Sequence, residues 1–298
     1  MSTSTDPFPE QMFSILIPAY NEAEAIDSTL QDLLDCPELR LTEIIVIDDG
    51  SSDGTGERVR QFERVRLVRH RANRGYGSAI TTGARLSSGR YIVWYDADGQ
   101  HRPEDLINVA KTLAMDDLEY CIGVRDPIAA QAIERRFGKA FLAMAVRMAA
   151  RQPIKDFNSG LRGFKREILL HYLHLLPSGF GASTMTTLLL LERGHIGAEI
   201  AIRTRPRIGK STLKPIRDGM RTLMIVLRIV LLFKPLQFFG SIGVALILVG
   251  SIYGLVEAFA QREGFPVLGA LVIILGVQSL FFGLLNDQVS LMRRERLE

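Results

Sequence analysis

Two long stretches of this chain carry no charged side chain. Pro235–Val256 and Gly264–Asn286 contain no Asp, Glu, Lys or Arg, and only Glu257–Glu263 separates them. Each run is just over 20 residues, the length a helix needs to cross a hydrocarbon core of about 30 Å. The sequence therefore predicts two spanning helices joined by a short loop, with both ends of the hairpin on one side. The alternative is a pair of buried core helices in a soluble domain.

Basic residues set the orientation. The approach to the hairpin carries Arg203, Arg205, Arg207, Lys210, Lys214, Arg217, Arg221, Arg228 and Lys234 against a single acid, Asp218, and the tail carries Arg293, Arg294 and Arg296. The expectation is a multi-pass cell-membrane protein (inner or plasma membrane) whose large N-terminal domain faces the cytoplasm. Thr222–Phe233 is apolar but interrupted by Arg228, and reads as a helix lying in the interface, with a third span as the alternative. The expected divisions are 1–215, 216–234 and 235–298. Met1–Gln11 has neither a basic region nor a long apolar run, so no signal peptide is expected. Two cysteines, Cys36 and Cys121, suit a reducing compartment. A net charge of +3, with its basic residues beside membrane segments, argues against nucleic-acid binding.

Before the hairpin, strand and helix patterns alternate. Phe13–Ile17, Ile44–Ile47, Val65–Val68, Tyr91–Tyr95 and Tyr120–Val124 read as strands, the first stopped by Pro18. Glu22–Leu34, Gly56–Phe62, Tyr76–Leu86 and Pro103–Met115 read as helices. This predicts an α/β fold around a mostly parallel sheet. In such sheets ligands bind beyond the carboxyl ends of the strands, where the polar clusters fall.

Asp96-Ala97-Asp98-Gly99-Gln100 places three oxygen-bearing side chains at alternate positions just past a strand. Such a face suits a hard cation, Mg²⁺ or Mn²⁺, that keeps positions for phosphate oxygens. Asp48 to Thr55 combines a turn and helix cap (Ser51, Ser52, Asp53) with two aspartates able to accept bonds from a nucleoside. Asn73-Arg74-Gly75-Tyr76-Gly77 is either a glycine-rich ligand loop or a place of close packing. Trp94 lies within a strand pattern and reads as core. The five histidines show no metal spacing, and His101 reads as shaping the loop.

In order and spacing, Ile17-Pro18-Ala19-Tyr20-Asn21-Glu22, the Asp48–Thr55 run, Asn73-x-Gly75-x-Gly77 and Asp96-Ala97-Asp98-Gly99-Gln100-His101 resemble glycosyltransferase family 2. The likeness covers about the first 215 residues and is strongest to dolichyl- and polyprenyl-phosphate mannose or glucose synthases. It implies a GT-A fold, a Rossmann-like nucleotide-binding sheet. It also implies that Pro18, Tyr20, Glu22, Ile47 and Asp49 line the nucleotide pocket. Asp96, Ala97, Asp98 and Gln100 would hold metal and diphosphate. Arg125, in Gly123-Val124-Arg125, would contact phosphate. Asp156, in Asp156-x-Asn158-Ser159-Gly160-x-Arg162, would lie beside sugar and acceptor. The sequence departs from the family at Gly99, often leucine, and in the basic loop Arg205-Pro206-Arg207-Ile208-Gly209-Lys210, whose register is shifted. The family includes monomers and tetramers, so a homo-oligomer is possible.

Transfer from a nucleotide sugar builds negative charge on the leaving diphosphate, which a metal and arginines offset. A phosphomonoester acceptor needs cations rather than a general base, because it is already mostly dianionic at pH 7. Gln131–Arg151 interleaves Arg135, Arg136 and Lys139 with apolar residues, as an amphipathic helix or as a membrane-surface seat for a lipid phosphate. The expectation is metal-dependent, inverting transfer of a hexose from a GDP-mannose or UDP-glucose type donor to polyprenyl phosphate. Asp98, Asp156 and Arg125 would be catalytic, and Arg135, Arg136, Lys139, Arg205, Arg207 and Lys210 would hold the lipid phosphate. A polysaccharide-elongating enzyme and a non-catalytic nucleotide-binding membrane protein are the alternatives.

Overall fold

The computed structural model describes residues 12–125, 156, 159–179, 181–208, 234–261 and 264–295, with single residues at 224, 227 and 231. They fall into two compact units, the second of which contains the C-terminal helices.

The first unit is built on β1 (Phe13–Ala19), β2 (Glu43–Asp48), β3 (Val65–Arg69), β4 (Tyr91–Trp94), β5 (Tyr120–Arg125), β6 (Arg162–Lys165) and β7 (Gly197–Ile202). They form one sheet in the order β3-β2-β1-β4-β6-β5-β7. Pairing is parallel except at β6, which runs antiparallel to both β4 and β5. The helices are α1 (Ile26–Leu34), α2 (Thr55–Val59), α3 (Tyr76–Leu86), α4 (Pro103–Met115), α5 (Arg166–Tyr172) and α6 (Gly181–Glu192). The apolar runs of β1, β2 and β4 are buried throughout because helices cover both sheet faces. α3 approaches closely at Gly83, where a Cβ would stand 2.7 Å from Ile47 Cδ1 and 3.2 Å from Leu16.

Two differences from the sequence pattern have clear causes. β1 continues through Pro18 to Ala19. In a parallel strand, successive backbone groups point to opposite neighbours. The Leu16 carbonyl faces β4, accepting from Tyr95 N–H, and the Ala19 carbonyl faces the β2 side, accepting from Asp49 N–H. Pro18 therefore turns its missing N–H toward β4, whose pairing has already ended at Trp94. The first helix begins at Ile26 rather than Glu22, because Asn21 adopts a left-handed conformation (φ 54°) and Glu22 starts a turn.

The second unit contains α7 (Pro235–Gln261) and α8 (Val267–Glu295). Both are long and apolar enough to cross a membrane, and only 17% of the most apolar 18-residue stretch of each is buried. Core helices of a soluble domain are mostly buried, whereas here Leu248, Ile252, Phe281 and Leu285 are all more than half exposed, as suits membrane-spanning segments. The helices pack through glycine. A Cβ at Gly243 would be 2.7 Å from the Gly276 carbonyl oxygen, and one at Gly276 would be 2.7 Å from that of Gly243.

Candidate functional site

The strand order reverses between β1 and β4, the switch point at which α/β sheets open a crevice beyond their carboxyl ends. The loops leaving β1 and β2 are stitched together there. Asn21 N–H donates to Ser51 Oγ (3.0 Å), Ser52 N–H to Asn21 Oδ1 (2.9 Å), Glu22 N–H to Thr55 Oγ1 (3.0 Å) and Ala23 N–H to Asp53 Oδ2 (2.9 Å). Asp53 also accepts from Thr55 N–H (3.0 Å), a turn bond just ahead of α2, whose cap position is held by Gly54 with no side-chain bond. Ser51 and Ser52 do not cap; they tie down Asn21.

Asp49 is buried and bound to the loop before α3. Its Oδ1 accepts from Arg74 N–H (2.9 Å) and lies 2.6 Å from His70 Nδ1, while Oδ2 accepts from Gly75 N–H (2.7 Å). Gly75 has φ +94°, and a Cβ at Gly77 would lie 2.0 Å from the Pro177 carbonyl oxygen. These glycines serve close packing.

The Asp96–Gln100 loop gathers the charged groups of the crevice. Asp96 Oδ1 accepts from the Tyr76 hydroxyl (3.2 Å), and Oδ2 lies 3.6 Å from His101 Nε2. The carboxylate rests on Gly160, where a Cβ would come within 1.8 Å of Oδ2. Asp98 Oδ1 accepts from Gln100 N–H (3.1 Å), and Oδ2 lies 3.4 Å from Arg207 Nη1. Arg207 also pairs with Glu22. Burial, and then the Asp96 charge, raise the Asp98 carboxyl above its ordinary range. Burial would raise Asp96 too, but His101, Tyr76 and Arg125 outweigh it and hold Asp96 low. Burial pushes Glu22 up to about 7; Arg207 opposes the rise, and Asp98 and Asp96 add to it. Three acids and two arginines thus share one electrostatic neighbourhood at the switch point.

Behind it stand two further groups. Arg125, at the end of β5, grips Asp156 through both edges of its fork (Nε–Oδ2 2.7 Å, Nη2–Oδ1 3.0 Å). Two residues expected to act separately are therefore one unit. Arg162, on β6, is fully buried and donates to the carbonyls of Ser159 (2.6 and 2.9 Å) and Ser183 (2.7 Å) and to Thr187 Oγ1 (2.9 Å). Its guanidinium lies 5.6 Å from the centre of the Trp94 ring. Burial lowers its pKa to about 10, with Tyr76, Asp156 and Asp96 opposing. Trp94 is fully buried core, as its strand position implied.

The other expected site residues divide. Tyr20, Glu22 and Gln100 are half-buried at the rim, and Pro18 and Ala97 are buried beneath it. Ile47 has its side chain fully buried against α3, so what it offers a ligand is backbone. Arg205 turns outward to Asp32 (2.6 Å) on the surface, although its N–H donates to the Gln100 carbonyl (2.8 Å). Ile208 N–H donates to the Asp98 carbonyl (3.2 Å), so the basic loop lies along the acidic one. Gly99 (φ +72°) belongs to the same arrangement, since Ile208 Cδ1 stands 2.9 Å from where its Cβ would be. Arg135, Arg136, Lys139, Lys210 and the Gln131–Arg151 segment lie outside the described residues, as does most of the interfacial segment 216–234. Tyr76 and Gly160 fall inside motifs read from the sequence, but the motifs give neither a role, because neither residue type marks support of a carboxylate.

Among the described residues no three His, Cys, Asp or Glu side chains converge into a metal cage. The donors at Asp96 and Asp98 instead fit a hard cation that completes its shell from phosphate and water, and they do not fit zinc.

Residues 14–173 match the model of glycosyl transferase family 2. The chain belongs to this family. It is a sugar-transferring enzyme, and its residues 234–292 match the GtrB C-terminal hairpin. It is 29% identical over 296 residues to glycosyltransferase AglJ of Haloferax volcanii, covering 95% of each chain. It is 28% identical to a dolichyl-phosphate beta-glucosyltransferase of Dictyostelium discoideum, covering 75% of each. It is 26% identical to an undecaprenyl-phosphate 4-deoxy-4-formamido-L-arabinose transferase of Pseudomonas paraeruginosa, covering 96% of this chain and 87% of that one. In fold it resembles glucosyl-3-phosphoglycerate synthase of Mycobacterium tuberculosis, solved with Mn²⁺, uridine diphosphate and phosphoglyceric acid. That likeness has a TM-score of 0.62 at 18% identity and covers 74% and 78% of the two chains.

Proposed function

We propose that this family 2 enzyme transfers a hexose from a nucleotide sugar to polyprenyl phosphate in the bilayer, with inversion at C1. The convergence of Asp96 and Asp98 with Arg125 and Arg207 carries the reading, on a chain that ends in an apolar helix pair. Relatives named for dolichyl- and undecaprenyl-phosphate transfer support the acceptor class. The N-terminal unit faces the cytoplasm, where nucleotide sugars are made.

Asp98, Asp96 and Gln100 would hold Mg²⁺ or Mn²⁺. When bound, that ion offsets the charge growing on the leaving diphosphate. Arg207 now answers Glu22 and Asp98; with a diphosphate present its guanidinium is placed to turn to phosphate oxygens. Arg125 keeps Asp156 oriented, and Asp156 positions a sugar hydroxyl or the acceptor. Asp49, Tyr20, Pro18 and the Ile47 backbone flank the nucleoside. Arg135, Arg136, Lys139 and Lys210 receive the acceptor phosphate. That phosphate attacks C1 directly and gives up no proton, so no general base is required.

The test is transfer in membranes supplied with undecaprenyl or dolichyl phosphate and a panel of labelled nucleotide sugars, with and without EDTA. Chloroform-soluble, alkali-stable label that needs the added lipid supports the proposal. Label found only in aqueous polymer identifies an elongating enzyme, and no turnover with any donor identifies a binding protein.

A further inference from the structure

The Asp49 side chain, at the end of β2, is 3% exposed and turned toward its own chain. The N–H groups of Arg74 and Gly75 and the His70 ring occupy three of its roughly four lone-pair sites. His70 is itself braced. Its N–H donates to the Asp48 carbonyl (2.8 Å), and its Nε2 lies 2.9 Å from Thr82 Oγ1 on α3. One buried acid thus ties the ends of β2 and β3 to the turn that opens α3.

The residue that follows this turn is Tyr76, the first of α3. Its hydroxyl donates to Asp96 Oδ1 (3.2 Å), and its ring meets the Trp94 ring edge-on, with centroids 6.4 Å apart. The turn is held from the other side as well. A Cβ at Gly75 would lie 2.4 Å from the Ser178 carbonyl oxygen, and Ser78 N–H donates to that same oxygen (3.2 Å). With Asp49 on one side and Ser178 on the other, the direction in which Tyr76 leaves the turn is fixed. A small rotation at Gly75 would be magnified at the hydroxyl, which sits at the far end of a rigid ring.

We propose that Asp49 and Tyr76 are positioning residues for the divalent ion. Asp49 sets the turn, the turn aims Tyr76, and Tyr76 holds the Asp96 carboxylate in place before any nucleotide arrives. Two hydrogen bonds, Gly75 N–H to Asp49 and Tyr76 O–H to Asp96, then join the nucleoside side of the crevice to its metal side. The inference rests on the reading of Asp96 and Asp98 as metal donors, and it gives the Asp49 carboxylate a task other than touching the nucleoside.

The experiment titrates Mn²⁺ alone into the purified full-length protein, with no nucleotide present, and reads bound ion by electron paramagnetic resonance. Y76F removes only the hydroxyl, and D49N keeps the size of the side chain but turns one acceptor into a donor. Each is expected to weaken Mn²⁺ binding about 3- to 30-fold. The double variant should bind no more weakly than the worse single one, because both break the same chain of contacts. Hydrogen exchange in D49N should quicken at the amides of Arg74 and Gly75, while β1 and β4 stay protected and show the fold intact. Unchanged Mn²⁺ affinity in D49N, with only UDP or GDP binding weakened, would make Asp49 a nucleotide contact and overturn the inference. Losses that add in the double variant overturn it too. A wild-type protein that binds no Mn²⁺ removes the metal reading and this inference together, whereas binding lost in D98A but kept in D49N and Y76F removes this inference alone.

Discussion

Gly160 supports the carboxylate that the proposed chemistry depends on, and alanine there tests this directly. A Cβ at residue 160 would lie 1.8 Å from Asp96 Oδ2, 2.4 Å from Cγ and 2.7 Å from Oδ1. Ordinary Cβ contact begins at 3.4 Å, so the carboxylate oxygen has to retreat by about 1.6 Å. Tyr76 and His101 hold it on the other side, so it loses its present position rather than sliding along it. The group displaced is the end of a side chain, so the fold gives way easily, with destabilisation of about 1 kcal/mol and a fall in Tm of a few degrees. Function does not tolerate the same movement: misplacing a reacting or ligating group by about 1 Å costs on the order of 10²-fold in rate. G160A is therefore expected to stay folded, to lose about 100-fold in kcat, and to need more Mg²⁺ or Mn²⁺ for half-maximal rate. Thermal unfolding and a metal titration of the transfer rate measure both. Activity within threefold of wild type, with unchanged metal dependence, would refute the claim that Asp96 must sit where Gly160 allows it.

Other perturbations separate neighbouring residues. R207A should lower kcat/KM at least tenfold, whereas R205A, which breaks an exposed pair with Asp32, should change activity less than twofold and stability by under about 1 kcal/mol; equal losses would void the distinction. Glu22 holds its proton to about pH 7 instead of 4.5, so the folded state binds more protons than the unfolded state between those values. Without divalent cations, stability should fall as pH rises through that window, by about 1–2 kcal/mol once solvent screening of this partly exposed group is allowed for. Thermal melts of E22Q from pH 5 to 8 should show a flatter slope, and a slope equal to wild type would contradict the assignment. R162M removes a fully buried cation from Ser159, Ser183 and Thr187, and should destabilise the protein by about 3–5 kcal/mol, seen as a Tm drop of roughly 10 °C.

Much of this architecture was legible because burial on both faces writes a simple pattern. β-branched runs at Ile44–Ile47 and Tyr91–Trp94 could only be interior strands, and the uncharged runs after Lys234 could only be long apolar helices. β6 escaped, because Arg-Gly-Phe-Lys is four residues long and owes its place to pairing with β4 and β5 rather than to an apolar run of its own. At the site, Asp96 and Asp98 stood out by spacing and position. Their supports did not. Gly160 and Tyr76 act through contacts made 64 and 20 residues away from Asp96 in sequence, which no local pattern encodes. The Arg125–Asp156 fork joins two segments that the sequence suggested separately but could not pair. The outward turn of Arg205 and the inward turn of Arg207 follow from how Ile208 seats over Gly99, a packing fact rather than a motif.

The central claim is that Asp98, with Asp96, grips a divalent ion that a nucleoside diphosphate helps to complete. Electron paramagnetic resonance of Mn²⁺ with the purified full-length protein tests it without depending on turnover. The account predicts Mn²⁺ binding that tightens at least tenfold when UDP or GDP is added, and loss of that binding in D98A while the protein stays folded. Mn²⁺ held equally well by D98A, or with no response to either nucleotide, would contradict it.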